Sequence, residues 1–347
     1  MTRRQAVIEA LQHHEHDTIP FHMDFTKQAL DQLIAYTGDE QIEEKIGGYI
    51  NIIQYWGWPT QLPDKPGYFR DEFGVVWNRN GADKDIGIVE SPQIEDLEDY
   101  HYEFPAFDEK RLRSEYESLI ANNGDRFTVA GFGFCMFERA WSLMGMENVL
   151  MNMLLCPDEL DALFDRICDY YLPMIDLALE YGVDAVYFGD DWGQQRGLIM
   201  GPDHWRHFLK PRMARLYARV KEKGKYVIQH SCGDCHEIFP DLIEIGLDCY
   251  QTFQPEIYDI AEMKRLYGKD LTFWGGISTQ QCLPYATPDG VCDEIRRVSS
   301  ILRRGGGYIL APTHALSFDV PPENILKNGG GVPSSGQIPF PLKPSGK

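Results

Sequence analysis

Positive charge is scarce in this chain: 33 lysines and arginines face 53 aspartates and glutamates, for a formal net charge of −20. A field of that sign repels phosphate backbones and polyanionic ligands, so nucleic acid is not an expected partner. Long apolar runs are also missing. No stretch approaches the roughly 20 residues a membrane span needs, and residues 1–20 are too polar and His-rich for a signal peptide, so a cytoplasmic protein is expected with no membrane contact. The 8 cysteines (135, 156, 168, 232, 235, 249, 282 and 292) lack the dense spacing of a secreted disulfide framework, and most are expected to be reduced, buried thiols. There is no phosphate cradle either, because Gly305-Gly306-Gly307 precedes a strand pattern and opens no helix.

What the chain does have is core material. Hydrophobic residues make up 43% and charged residues 25% of 347, which suits one large globular domain and is also compatible with a homo-oligomer. Thr2 to His13 has the pattern of an amphipathic helix capped by Thr2, and Ile19 to Phe25 is strand-like. Asp71-Glu-Phe-Gly-Val-Val-Trp77 reads as the start of a hairpin or an excursion. From Phe107 onward, helical and strand-like segments alternate, with strands at Phe127–Phe132, Asp184–Gly189, Tyr226–His230, Asp248–Phe253, Leu271–Gly275 and Gly307–Ala311. Helices are expected at Asp108–Asn122, Met136–Leu155, Pro157–Tyr181, Pro202–Lys223, Cys235–Ile245, Ile257–Tyr267 and Pro288–Arg304. About eight strand candidates fit an α/β fold of the (β/α)8 TIM-barrel type with an N-terminal excursion, one domain over residues 1–326. Residues 327–347 read as a flexible Gly/Pro/Ser-rich tail, although a closing helix is expected near that point.

The organising stretch is Lys225-Tyr-Val-Ile-Gln-His230-Ser-Cys232-Gly-Asp-Cys235-His236, a run of strand formers that ends in borderline and soft metal ligands. Barrel strands deliver their functional residues at C-terminal tips, and the polar groups Asp24, Asp190, Asp191, His230, Cys232, Gln254 and His314 all follow strand patterns. An imidazole and a thiol two residues apart can face one cavity, and with His314 after the last strand they make a three-ligand zinc site with an open position. Spacing alone is equally compatible with a strand-capping histidine, a buried thiol and a loop histidine. Cys235 invites a redox Cys-x-x-Cys reading, but it more naturally begins the following helix. Asp190, Asp191 and Asp24 suit acid–base work, metal binding or substrate contacts, with N-capping or a salt bridge near Arg196 as the plain alternative. Tyr187, Trp192, Gln254 and Trp274 are candidates for lining a substrate pocket, though aromatic residues near strand ends are most often core.

Taken together, the segments Asp71-Glu-Phe-Gly-Val-Val-Trp77, Gly189-Asp-Asp-Trp-Gly193, Gln229-His-Ser-Cys-Gly233, Leu271-Thr-Phe-Trp-Gly-Gly-Ile277 and Tyr308-Ile-Leu-Ala-Pro-Thr-His314 resemble the uroporphyrinogen decarboxylase superfamily. The chain looks more like its corrinoid-linked methyltransferase branch. The resemblance implies a TIM barrel and a zinc held by a His-x-Cys pair and a later cysteine; His230 and Cys232 match the pair, and the later position is His314. That replacement keeps a zinc ligand but fits a member that demethylates an oxygen- or nitrogen-bound methyl group better than one that activates a thiol. The methyl acceptor implied is a corrinoid (cobalamin) on a separate partner protein, since this sequence shows no Asp-x-His-x-x-Gly signature. The decarboxylases carry an arginine-rich segment after their first strand, where this chain reads Phe21-His-Met-Asp-Phe-Thr26. The expected function is therefore zinc-dependent transfer of a methyl group from a small methylated substrate to a corrinoid protein. The alternatives are a metal-free decarboxylase of the uroporphyrinogen type and a barrel that only binds a tetrapyrrole or corrinoid.

Overall fold

A computed structural model of the chain describes residues 1–81, 86–90, 92–98 and 101–328. The end of the expected Gly/Pro/Ser-rich tail, residues 329–347, lies outside the described residues; just before it, Pro322–Asn328 forms a helix. The chain clusters into two compact units, the first of residues 1–51, 123–128 and 248–347, the second of residues 52–122 and 129–247.

Seven strands form one sheet: β1 (Ile50–Tyr55), β6 (Phe127–Phe132), β7 (Ala185–Gly189), β8 (Tyr226–His230), β9 (Cys249–Phe253), β10 (Thr272–Ile277) and β11 (Tyr308–Pro312), in that order. The pairs β6–β7 and β7–β8 are parallel, as are β9–β10 and β10–β11. Every residue of β6, β7, β9, β10 and β11 is buried. Such strands need apolar or small side chains on both faces, which is why they read as unbroken runs without alternation.

The fold is thus α/β, as expected, with a curled parallel sheet of seven strands where the sequence pointed to eight. Ile19–Phe25 does not form a full strand. Phe21 makes a single bridge to Leu310, with His22 N–H donating to Leu310 O (3.0 Å), Leu310 N–H to Pro20 O (2.9 Å) and Tyr49 N–H to Phe21 O (2.9 Å). Pro20 has no N–H to extend the ladder on one side, and Pro312 of β11 has none to extend it toward Phe25 on the other. A stave that the sequence did not reveal is β1, whose mixed burial offers neither clean alternation nor a continuous apolar run.

Several helices begin where their caps dictate. Thr2 Oγ1 accepts the Gln5 N–H ahead of helix Arg3–Leu11, Thr287 Oγ1 accepts Gly290 N–H ahead of Pro288–Leu302, and Pro157 opens Pro157–Glu180. The expected helix Met136–Leu155 is broken at Gly145 into Phe137–Met144 and Met146–Leu155. Cys235–Ile245 shortens to a 3-10 turn and helix Phe239–Glu244.

The excursion in the second unit is a four-stranded antiparallel sheet of β2 (Thr60–Gln61), β3 (Tyr68–Arg70), β4 (Val76–Asn78) and β5 (Ile88–Val89). Asp71 fastens it. Its carboxylate accepts Val75 N–H and Trp77 Nε1–H, each at 3.0 Å, and pairs with Arg139 at 3.3 Å. Arg139 is fully buried, 3.7 Å from the centre of the Phe73 ring. A buried ion pair of this kind is expensive to break from one side, on the order of 3–5 kcal/mol, because the surviving charge has no water. Asp71-Glu-Phe-Gly-Val-Val-Trp77 is therefore a structural motif that anchors the excursion to helix Phe137–Met144.

Candidate metal centre

The tips of β7 and β8 lie side by side because Gly189 pairs with His230 in the parallel ladder, and Asp190 N–H donates to His230 O at 3.1 Å. The chain after β8 then turns under Asp191, whose Oδ1 accepts Cys232 N–H at 2.7 Å and lies 3.3 Å from His230 Nε2. Cys232 Sγ is 3.7 Å from His230 Nε2. One carboxylate thus holds both the imidazole and the backbone that presents the thiol.

Two glycines let this happen. Gly193 N–H donates to Cys232 O at 3.2 Å, and a Cβ on Gly233 would lie 2.2 Å from the Gly193 carbonyl carbon. Gly233 also adopts φ 78°, a conformation L side chains rarely take. The two loops touch backbone to backbone.

Asp190 is fully buried and accepts three hydrogen bonds: Phe137 N–H at 2.9 Å, Glu138 N–H at 2.7 Å and Trp192 Nε1–H at 2.5 Å. It clamps the first turn of helix Phe137–Met144 against the β7 tip. Burial raises its pKa to about 6 despite those donors, with Asp191 adding to the rise. Trp192 has no exposed surface; beyond its bond to Asp190, its ring packs 5.3 Å from Trp205. Ser231 Oγ accepts Trp192 N–H at 2.8 Å and lies 3.3 Å from Cys235 Sγ. Cys235 is buried behind this turn.

Around the pair the protonation balance is unusual. Burial works against charge on His230, yet Tyr187, Cys232 and the Asp191 contact outweigh it and hold the imidazole well above its ordinary pKa. Burial raises the Cys232 thiol, opposed by His230. The Glu138 carboxyl, absent from the sequence-based candidates, is driven well above the carboxylate range by burial first, then by Asp191 and Asp190. The Tyr187 ring centre lies 6.0 Å from that of His230.

His314 extends from β11 on a firmly held base. Thr313 N–H donates to Ile277 O (2.9 Å), Thr279 N–H donates to Thr313 Oγ1 (3.2 Å), and Thr252 Oγ1 donates to Thr313 O. Leu316 N–H donates to Asp24 O at 2.8 Å, so the loop is gripped on both sides of His314. The ligand atoms of His230, Cys232 and His314 all lie within 4.8 Å of one another. Tetrahedral zinc, with bonds of roughly 2.0–2.1 Å to nitrogen and 2.3 Å to sulfur, places its ligand atoms about 3.3–3.6 Å apart. The 3.7 Å between Nε2 and Sγ already matches, and the donor set of two imidazoles and a thiol suits zinc.

Asp24 carries a hydrogen bond from its own stave, with His22 Nε2 2.9 Å from its Oδ1, and the His22 ring meets the Trp274 ring edge-on at 5.5 Å. Trp274 is almost fully buried, and Gln254 is buried at the turn after β9, its carbonyl accepting from Ile257 and Tyr258. His22 and Glu138 escaped the sequence reading. His22 was available to the same rule that found the others, since it lies within the strand-like Ile19–Phe25, whereas Glu138 lies inside a helix and carries no such signal.

Similarity to known proteins follows the same lines. A methylated-thiol–coenzyme M methyltransferase of Methanosarcina mazei is 25% identical over 189 residues, 54% of this chain and 48% of that protein. A uroporphyrinogen decarboxylase of Bacillus mycoides is 31% identical over 118 residues, 34% of this chain and 32% of that one. The chain therefore spans half or less of the length of these curated relatives. Among solved structures, a methyltransferase from Methanosarcina mazei superposes with a TM-score of 0.70 over 94% of this chain and 97% of its own, at 17% identity, which speaks to the fold. The sequence model of uroporphyrinogen decarboxylase (URO-D) matches residues 83–327, well over half of the chain, and the protein belongs to that family.

Proposed function

We propose that this protein is a zinc-dependent methyltransferase that moves a methyl group from a small O- or N-methylated substrate to a corrinoid on a partner protein. The observation that carries the reading is the convergence of His230, Cys232 and His314 ligand atoms within 4.8 Å. The methyltransferase relative supports methyl transfer in general.

In this reading His230, Cys232 and His314 hold the metal. A zinc ion bound there supplies Lewis acidity toward the heteroatom that bears the methyl group. Asp191 fixes the His230 ring and the Cys232 backbone, the orienting role that carboxylates play behind metal-binding histidines. The methyl group leaves without the electron pair of its bond, and the heteroatom that keeps the pair needs a proton. Glu138, whose neutral form is favoured by burial and two neighbouring carboxylates, holds such a proton within the same cluster. Asp190 positions the helix that carries Glu138.

The test has two arms. Elemental analysis should find stoichiometric zinc in the native protein and none in Cys232→Ser. With cob(I)alamin as acceptor, methoxyaromatics and methylamines should be demethylated, and methylated thiols, the substrate class named for the Methanosarcina relative, serve as the competing panel. Protein without zinc that releases carbon dioxide from uroporphyrinogen, unaffected by chelator, would replace this reading with the decarboxylase.

A further inference from the structure

Helix Met146–Leu155 is apolar on the side where it should be polar. Val149 and Met153, four residues apart, share its buried face. At 100° per residue, Met151, Leu154 and Leu155 fall on the opposite side, and they are 51%, 71% and 72% exposed, with Met146 at 40%. Glu147 shares that exposed side, so the face is an apolar stripe with a carboxylate at its N-terminal end. Methionine and leucine stripes of this kind are adaptable contact surfaces.

Charge decides what covers it. Between Met144 and Asp165 the chain has no lysine, arginine or histidine, while Glu147, Asp158 and Glu159 are exposed at the two ends of the stripe. Asp96 and Glu98, also exposed, lie near enough to Cys156, the residue after the stripe, to act on its thiol together with Glu159. The charged groups placed at its ends are thus all acidic. A second copy of this chain would bring an identical acidic rim against it, each copy carrying a net charge of −20, and like charges across an interface are strongly disfavoured. A partner with an apolar centre and a basic rim is complementary.

The stripe is also tied to the candidate metal centre. Helix Met146–Leu155 continues from Phe137–Met144 after one residue, and the first turn of Phe137–Met144 is hydrogen-bonded to Asp190 beside His230. Eight residues of helix span about 12 Å, so the stripe begins within the radius of a small protein domain from that centre.

We infer that the Met146–Leu155 face is the docking surface for the corrinoid-carrying partner, a protein that presents an apolar patch ringed by lysine or arginine. The inference rests on the methyl-transfer reading above. Because Leu154 and Leu155 are exposed, the double variant Leu154→Asp/Leu155→Asp should fold normally. Sedimentation of the native protein alone should show no association through this face. Corrinoid proteins from the same genome, purified with methylcobalamin bound, should include one that binds the native chain, more weakly as salt rises, and binds the double variant at least tenfold more weakly. Self-association that the double variant abolishes, equal binding by both proteins, or binding by neither would overturn the assignment. Turnover with free cob(I)alamin separates the two claims: it should be the same in native and variant protein, and its absence from both would defeat the methyl-transfer reading while leaving the binding result to judge the surface.

Discussion

His230 and His13 are both withdrawn from water, and burial disfavours the charged ring in each, yet their neighbours drive them apart. His230 sits among Tyr187, Cys232 and Asp191, and its pKa is held far above the ordinary value. His13 sits against Lys264, and burial followed by that cation pushes its pKa down. Its Nδ1 is buried with no hydrogen-bond partner among the described residues. Lys264 in turn is lowered to about 8 by burial, while donating to Gly306 O at 2.5 Å. The difference is chemical. A ring surrounded by groups that carry or can acquire negative charge is set to attract a cation, whether proton or metal; a ring set beside an ammonium repels both.

Replacing Cys232 by serine should have the largest effect, removing bound zinc and with it methyl transfer, while circular dichroism stays native; a variant that keeps stoichiometric zinc would show that the thiol is no ligand. Asp191→Asn should move His230 only part of the way toward His13, because it removes the carboxylate behind the ring while Tyr187 and Cys232 stay in place. Zinc affinity is expected to fall about 10- to 100-fold, as measured by competition with a chelating dye. An unchanged affinity would mean that the Asp191 contact is incidental.

On the other side of the comparison, Lys264→Met removes a cation that is costly to bury. Between about pH 8 and 10.5 the unfolded chain holds the lysine proton and the folded chain releases it, so native stability rises with pH through that window. The variant should lack this slope and gain on the order of 1–2 kcal/mol at pH 7, once partial exposure is discounted. Equal slopes in urea melts of both proteins would refute the assignment. The smallest effect is expected from His13→Asn, which tolerates the left-handed backbone at this position (φ 58°). Native protein should lose stability as pH drops below about 6.5, where the unfolded histidine takes a proton that the folded one resists, and the variant should lose less over the same range.

The strand tips were legible because a buried strand is a short apolar run and the polar residue that ends it stands out. His230, Cys232, Asp190 and Asp191 all announce themselves in this way. What could not be read was work done across the chain. Asp190 looked like a catalytic acid, but its three donors come from residues 137, 138 and 192, and only folding brings the first two to it. Glu138 lies in the middle of a helical pattern, and nothing in its sequence neighbours signals the two aspartates that surround it. Asp71 read as the start of a hairpin or an excursion, and its local bonds to Val75 and Trp77 fit that, whereas its charged partner, Arg139, lies far along the chain. The first stave was cut short by prolines on both strands, Pro20 and Pro312, and the helix over Met136–Leu155 by the glycine at 145.

The backbone contact between Gly193 and Gly233 has a practical consequence for anyone altering this protein. Because no side chain intervenes, a single methyl group on Gly233 would lie 2.2 Å from the Gly193 carbonyl carbon, so the two loops would have to shift apart at the residue next to Cys232. Gly233→Ala is thus a way to detune the centre by displacement, with its chemistry left whole.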